Sequence, residues 1–199
     1  MVFLFYIFLL LCIYSYFIYP LILKATPVRR PGEAEACIDE PRTLSLIITV
    51  HNEEDRIRSK LENTLALDYP PEHLEVIVAS DFSTDTTDSI VESYADRNIR
   101  LVRADQRKGK EYAQLCAIRE ARGDILVFSD VATTIPPEAL QNLAAAFNDS
   151  RVGALSSEDC FVSQDGRVAG EGAYVKYEMW LRRLESDRAG LIGLSGSFF

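Results

Sequence analysis

Residues 43–54 read Thr-Leu-Ser-Leu-Ile-Ile-Thr-Val-His-Asn-Glu-Glu. Leu44–Val50 is a short, almost uninterrupted apolar run, the composition of a strand buried on both faces. It gives way at once to polar residues, and Ile57, Leu61 and Leu65 then follow at four-residue spacing. That spacing predicts an amphipathic helix over Glu53–Leu67. A buried strand feeding a helix through a short acidic loop is the first half of a βαβ unit.

The alternation continues outward from this unit. Leu74–Ala79 predicts a second strand, and Thr84–Asp96 a helix with Thr87, Ile90, Val91 and Tyr94 on one face. Ile99–Val102 predicts a third strand, and Lys110–Ala121 a helix carrying Tyr112, Leu115 and Cys116. Ile125–Phe128 predicts a fourth strand ending in Ser129-Asp130. Pro136–Phe147 predicts a helix opened by prolines, with Leu140, Leu143, Ala144 and Phe147 inward. Beyond residue 150 the pattern predicts a strand over Val152–Ser156 and a hairpin from Asp159–Val162 turning at Asp165-Gly166. A helix is expected over Gly172–Ser186, with Tyr174, Tyr177, Leu181 and Leu184 on one side and Trp180 beside them. The fold class expected is α/β, with a mostly parallel sheet covered on both faces.

Toward the N-terminus, residues 2–23 carry no charge. A run of that length suffices to cross a bilayer, and Tyr14, Tyr16 and Tyr19 gather toward one end as an interfacial belt would. A cleaved signal peptide fits less well, because no basic residue precedes the run and no small-x-small site closes it. Lys24, Arg29 and Arg30 follow the span, so the positive-inside rule places the remainder in the cytoplasm. Residues 24–42, with Pro27, Pro31, Pro41 and Gly32, read as a linker, which leaves 43–199 as the folded domain. Cys12, Cys37, Cys116 and Cys160 form no C-x-x-C pair and read as reduced thiols. The net charge of −9 argues against nucleic acid as a partner, which needs a basic stripe.

Open parallel sheets bind ligands beyond the carboxyl ends of their strands. Four strand-end clusters are therefore candidate site residues. Thr49 to Glu54 close the first strand; Asn52 and the glutamates suit a helix start, and they also suit contacts to a base and ribose. Asp81 stands between a strand end and the helix cap offered by Ser83 or Thr84, and its carboxylate could accept the imide N–H of uracil. Lys108-Gly109-Lys110 puts cations at a helix N-terminus, where the dipole disfavours them unless an anion such as diphosphate binds; a solvated surface lysine is the plain alternative. Asp130 ends a buried strand in the middle of the crevice. A carboxylate there is costly unless paired or metal-bound, and Mg²⁺ or Mn²⁺ accepts such an oxygen together with phosphate oxygens. A cap from Thr133 or Thr134 is its alternative.

Taken together, these motifs resemble the family 2 glycosyltransferases of GT-A fold over about residues 43–199. Ile47–Glu54 (IITVHNEE) is similar to the family's I-I-P-A-Y-N-E-E, Ser80–Asp85 (SDFSTD) to its D-D-G-S-T-D, and Gly109-Lys110 with Ala113 and Ala117 to its G-K-x-x-A-L-N helix. Phe128-Ser129-Asp130 is similar to the strand that ends in its D-x-D motif. The resemblance implies a GT-A-like, Rossmann-related sheet behind one transmembrane helix. It implies a donor nucleotide site of Thr49, His51, Glu53, Asp81, Lys110 and Asp130, with Asp130 holding Mg²⁺ or Mn²⁺. It further implies transfer of a sugar from a nucleotide sugar, UDP-linked by expectation, to a glycan or lipid-linked acceptor with inversion.

Three departures qualify the expectation. Ser80 replaces the first acid of the pair, and Asp130-Val131-Ala132 lacks the second carboxylate of D-x-D. The Ser195–Phe199 segment, which the family follows with an acidic base motif, is the last of these residues, and Glu158-Asp159 do not stand where the family carries its base. The expectation is a donor-binding part whose general base comes from elsewhere, for instance a separately encoded C-terminal half. A degenerate, membrane-anchored binding or scaffold protein is the alternative. A nucleotidyltransferase would need a Gly-rich basic loop after the first strand, and a dinucleotide-binding dehydrogenase a G-x-G-x-x-G; neither is present.

Overall fold

The computed structural model describes residues 2–28, 41–150, 152–157, 173–188 and 197–199. Most of the expected linker, the expected hairpin, Glu158-Asp159, Cys37 and Cys160 lie outside them. The chain forms two compact units: Met1–Glu33 with Glu158–Leu194, and Ala34–Ser157 with Ser195–Phe199.

The larger unit is built on four parallel strands: β1 (Leu44–Val50), β2 (Leu74–Ser80), β3 (Ile99–Arg103) and β4 (Ile125–Asp130). Their spatial order is β3-β2-β1-β4. The chain steps outward from β1 to β3 and then returns to the other side of β1. The topological switch point therefore lies between β1 and β4, where such sheets open a crevice at their carboxyl ends. Register sets Thr49 opposite both Ala79 and Asp130, and Val50 opposite Ser80.

Side chains alternate between the two faces. On one face Leu46, Ile48, Val50, Val78 and Val127 pack on α3 (Ile57–Leu65), α4 (Thr87–Glu92) and α6 (Ala139–Ala146), through Ile57, Leu61, Val91, Leu140 and Leu143. On the other, Ile47, Ile77, Ala79 and Val102 pack on Ala113 and Ala117 of α5 (Lys110–Ile118). Two alanines at i and i+4 give α5 a smooth face, so its backbone comes close to the sheet.

The strands of the sheet match their expected positions, but the helices that flank it are shorter than the periodicity suggested. Helix α3 starts at Ile57 rather than Glu53, and no side chain caps it. Helix α4 stops at Glu92, before a 3₁₀ turn at Ala95–Arg97. Helix α6 starts at Ala139, after the two prolines. The expected strand over Val152–Ser156 is absent from the structure. Beside β4 lie residues 197–199: Phe128 and Phe199 exchange backbone hydrogen bonds of 2.7 and 3.1 Å, and their rings stack 5.0 Å apart. Ser157 joins this edge by donating its N–H to the carbonyl of Phe198.

The far end of the sheet carries a tight polar knot. The Ser45 hydroxyl donates to Glu75 Oε1 at 2.5 Å and accepts the Gly123 N–H at 2.8 Å. Gly123 passes so close that a Cβ would stand 2.5 Å from the Ser45 nitrogen and 2.6 Å from the Leu44 carbonyl carbon. Both are backbone atoms of the central strand, so they cannot yield locally. Gly123→Ala is expected to destabilise the protein by about 2 kcal/mol, as overpacking does, measured as a lower denaturant midpoint with an unchanged m-value.

In the smaller unit, α1 (Val2–Ile13), a π-helical turn (Tyr14–Ile18) and α2 (Tyr19–Ala25) run into one another. Phe3–Ala25 is long and apolar enough to cross a membrane, and its large side chains are mostly exposed. The π turn has a local cause. Pro20 has no N–H for the Tyr16 carbonyl and its ring crowds that oxygen, so the preceding turn widens. The Tyr16 carbonyl instead accepts the Tyr177 hydroxyl of α7 (Ala173–Arg188) at 2.9 Å. Tyr19 likewise donates to the buried Glu185 of α7 at 2.8 Å.

Candidate functional site

Parallel partners in register project to the same face. Thr49, Ala79 and Asp130 therefore face α5, whereas Ser129 faces α3. This parity determines what reaches the crevice and from which side.

The loops after β1 and β2 form its first wall and are laced together. The Asn52 N–H donates to Ser83 Oγ at 3.2 Å, and Asn52 Oδ1 accepts the Thr84 N–H at 2.8 Å. Glu54 Oε2 accepts both the N–H and the hydroxyl of Thr86, at 3.1 and 2.6 Å. Asn52 is thus a strut between loops, not the expected cap of its own helix. Asn52 and Phe82 both hold left-handed backbone, with φ of 53° and 56°. Asparagine tolerates this region; a phenylalanine there is strained. It stands where the resembling motif has glycine, and the Arg103 guanidinium covers its ring at 4.6 Å.

His51 is fixed by a 2.7 Å contact from Nδ1 to the Asp81 carbonyl. A carbonyl only accepts, so Nδ1 carries the proton and, in the neutral ring, Nε2 is the acceptor. Glu53 has a different setting from the one expected. Both of its carboxylate oxygens receive the Arg56 guanidinium, at 2.8 and 2.9 Å, and its N–H is held by Thr87 Oγ1 at 2.8 Å. Its carboxylate serves the helix start.

Asp81 is also differently engaged. It is 5% exposed. Its Oδ1 accepts the N–H groups of Lys108 and Gly109 at 3.0 and 3.1 Å, and Oδ2 accepts Gly109 again at 3.0 Å. The carboxylate expected to receive a base imide latches the segment that opens α5. Gly109, at φ 94°, makes the turn that lets it do so.

Lys110 follows directly, and its ammonium meets Asp130 Oδ1 at 2.6 Å. Both side chains are about two-fifths exposed, at 42% and 40%. So solvated a pair contributes little stability; it places a cation and an anion together across the switch point. Thr49, opposite Asp130, has a buried hydroxyl with no hydrogen-bond partner among the described residues. Such a group normally finds one.

Lys60 was not anticipated. It is 3% exposed and rises from α3 to donate to Ser129 Oγ at 2.7 Å and to the Thr133 carbonyl at 2.6 Å. Burial pushes its pKa down to about 8, partly offset by the negative charge of Asp130. The signal was in the sequence: Ile57, Lys60, Leu61 and Thr64 follow the i, i+3, i+4, i+7 spacing of an inward face.

Among the described residues no three His, Cys, Asp or Glu side chains converge on a common point. The donor set for a divalent ion is the single hard carboxylate of Asp130, which sits on the crevice side of β4. That suffices for Mg²⁺ or Mn²⁺ only when phosphate oxygens complete the shell, the usual habit of Mg²⁺.

A parallel sheet with its switch point at β1/β4, flanked by helices and with polar loops and one acid at the strand ends, defines a GT-A-like α/β protein. Residues 45–183 match the sequence pattern of glycosyl transferase family 2, and the chain belongs to that family. The structure of a mannosyltransferase from Pyrobaculum calidifontis in complex with GDP-Man and Mn²⁺ is similar, with a TM-score of 0.61 and 27% identity. That likeness covers 87% of this chain and 49% of the other. The structure of TarS 1–349 from S. aureus is similar at TM-score 0.50 and 32% identity, over 54% of this chain and 32% of that one. Among curated relatives, the probable glycosyltransferase YdaM of Bacillus subtilis is 33% identical over 118 residues, which is 56% of this chain. The beta-monoglucosyldiacylglycerol synthase of Synechocystis is 25% identical over 88% of this chain. The matched region spans 28% and 38% of the length of these two relatives.

Proposed function

We propose that this chain carries the donor-binding part of an enzyme that moves a sugar from a nucleoside-diphosphate sugar to a hydroxyl of a glycan or lipid-linked acceptor, with inversion. The observation that carries the reading is the Lys110–Asp130 pair across the β1/β4 switch point, with the Thr49 hydroxyl, unpartnered among the described residues, in register beside it. The β1 and β2 loops would receive the base and ribose, with the fixed His51 ring presenting Nε2. Lys110 would neutralise phosphate charge, and the Thr49 hydroxyl would gain a partner in the bound ligand. Asp130 would hold Mg²⁺ or Mn²⁺ brought with the phosphates, and that ion would stabilise the departing diphosphate. The base for the acceptor hydroxyl would be supplied from a further segment, in the same or a separately encoded chain.

Phe3–Ala25 would be a single-pass anchor. Its first half is without charge and Lys24 stands in its last turn, which favours a cytoplasmic donor site. Residues 1–23, 24–42 and 43–199 would then be anchor, linker and donor domain.

A UDP-sugar is the first expectation for the donor, and GDP is the natural comparison because of the Pyrobaculum complex. Calorimetry on the folded chain in detergent, with Mn²⁺, should show UDP binding within the range of about 1 μM to 1 mM usual for enzyme substrates. Binding of GDP alone would reassign the base. Binding of neither would overturn the donor-site reading.

A further inference from the structure

We propose that Lys60 is a positioning residue of the donor site: reaching up from the α3 face of the sheet, its ammonium clamps the Ser129–Thr133 turn and thereby sets where the Asp130 carboxylate stands. The inference rests on the donor-site reading above and adds a residue to it.

The geometry is specific. The turn closes on itself through the Thr133 N–H, which donates to the Asp130 carbonyl at 3.2 Å. Lys60 then grips it at both ends, at Ser129 before Asp130 and at Thr133 after it. Asp130 leaves the turn on the opposite face, toward Lys110. Lys60 therefore reaches the Asp130 carboxylate through the turn it holds.

The site needs such a clamp. With alanine at position 132, an ion at the β4 end can grip the turn through one carboxylate only. One contact fixes a distance but leaves the turn's orientation open. Order that a second carboxylate would otherwise impose on binding must be present beforehand, and preorganisation of this kind lowers the entropy lost when ligand binds. Packing alone does not call for an ammonium here. An apolar side chain of similar length would fill the space without the cost of burying a charge.

A purely structural lysine would show the same hydrogen bonds, so the test separates the two roles by a double-mutant cycle. Binding of UDP, or of GDP if that is the nucleotide taken, is measured with Mn²⁺ for the unsubstituted chain, Lys60→Met, Asp130→Asn and the pair. If Lys60 works through Asp130, Lys60→Met weakens binding about tenfold when Asp130 is present and less than about twofold in the Asp130→Asn background, the non-additivity of coupled residues. The Mn²⁺ concentration that half-saturates nucleotide binding also rises in Lys60→Met. Equal losses in both backgrounds, or full affinity in folded Lys60→Met, would overturn the inference while leaving the donor site standing. Failure of the unsubstituted chain to bind either nucleotide would overturn both. Should Lys60→Met not fold, Ser129→Ala removes one of the two grips and keeps the lysine; its expected loss of about threefold must likewise vanish with Asp130→Asn.

Discussion

Asp130→Asn is expected to weaken Mn²⁺-dependent nucleotide binding by about 30- to 100-fold, the ~2–3 kcal/mol of one charged contact, and to leave the fold intact. Asparagine keeps the shape of the side chain and removes its charge. The fold is insensitive because the Lys110–Asp130 pair is solvated on both sides, and exposed pairs contribute about 0–1 kcal/mol. Binding is sensitive because Asp130 is the only carboxylate at the end of β4: Val131 and Ala132 follow it. Neither Val131 nor Ala132 can take its place, and a hard ion binds a neutral amide oxygen more weakly than a carboxylate. Calorimetry with and without Mn²⁺ reads the effect, and a melting curve controls for folding. Unchanged affinity in the folded variant would remove Asp130 from the donor site.

Asp81→Ala is expected to cost about 2–3 kcal/mol of stability, since hydrogen bonds to a buried charged group contribute about 1.5–3 kcal/mol. For a protein of this size that lowers the melting temperature by roughly 4–12 °C. The carboxylate holds the amides of Lys108 and Gly109, and the next residue is the lysine that faces Asp130. Releasing the latch therefore frees the start of α5 and lets Lys110 drift from the crevice. Nucleotide affinity should fall with stability, and for UDP and GDP alike. A carboxylate whose main task was to hold a uracil imide would behave otherwise: its loss would spare the melting temperature and weaken UDP only. Melting and calorimetry on one variant separate the two roles.

The strands were legible because each is a continuous apolar run ended by a polar pair, and burial on both faces tolerates nothing else. The family motifs were legible because they are local: IITVHNEE, SDFSTD and the Gly109-Lys110 helix start are each one loop long. The helix ends were not. Glu53 to Arg56 satisfy the helical period, yet the Glu53 and Glu54 amides are taken by Thr87 and Asp85 from another loop. Such cross-loop bonds involve residues some thirty positions apart and leave no trace in a local window. The strand expected over Val152–Ser156 does not form. The segment that pairs with β4 is Ser197–Phe199, some seventy positions away in sequence.

The site divided along the same line. Sequence alone determined which residues stand at the strand ends, because strand and loop order is written in hydrophobic periodicity, and the family resemblance then grouped Thr49, His51, Glu53, Asp81, Lys110 and Asp130 as a donor site. Only the tertiary structure decided their partners. Asp81 holds the amides that open α5, and Glu53 holds the Arg56 guanidinium. Lys110 and Asp130 met across the switch point, and Lys60 came up beneath them. The physical reason is that periodicity fixes the face on which a side chain lies, whereas charged and polar groups are satisfied by whatever the fold brings within three ångströms.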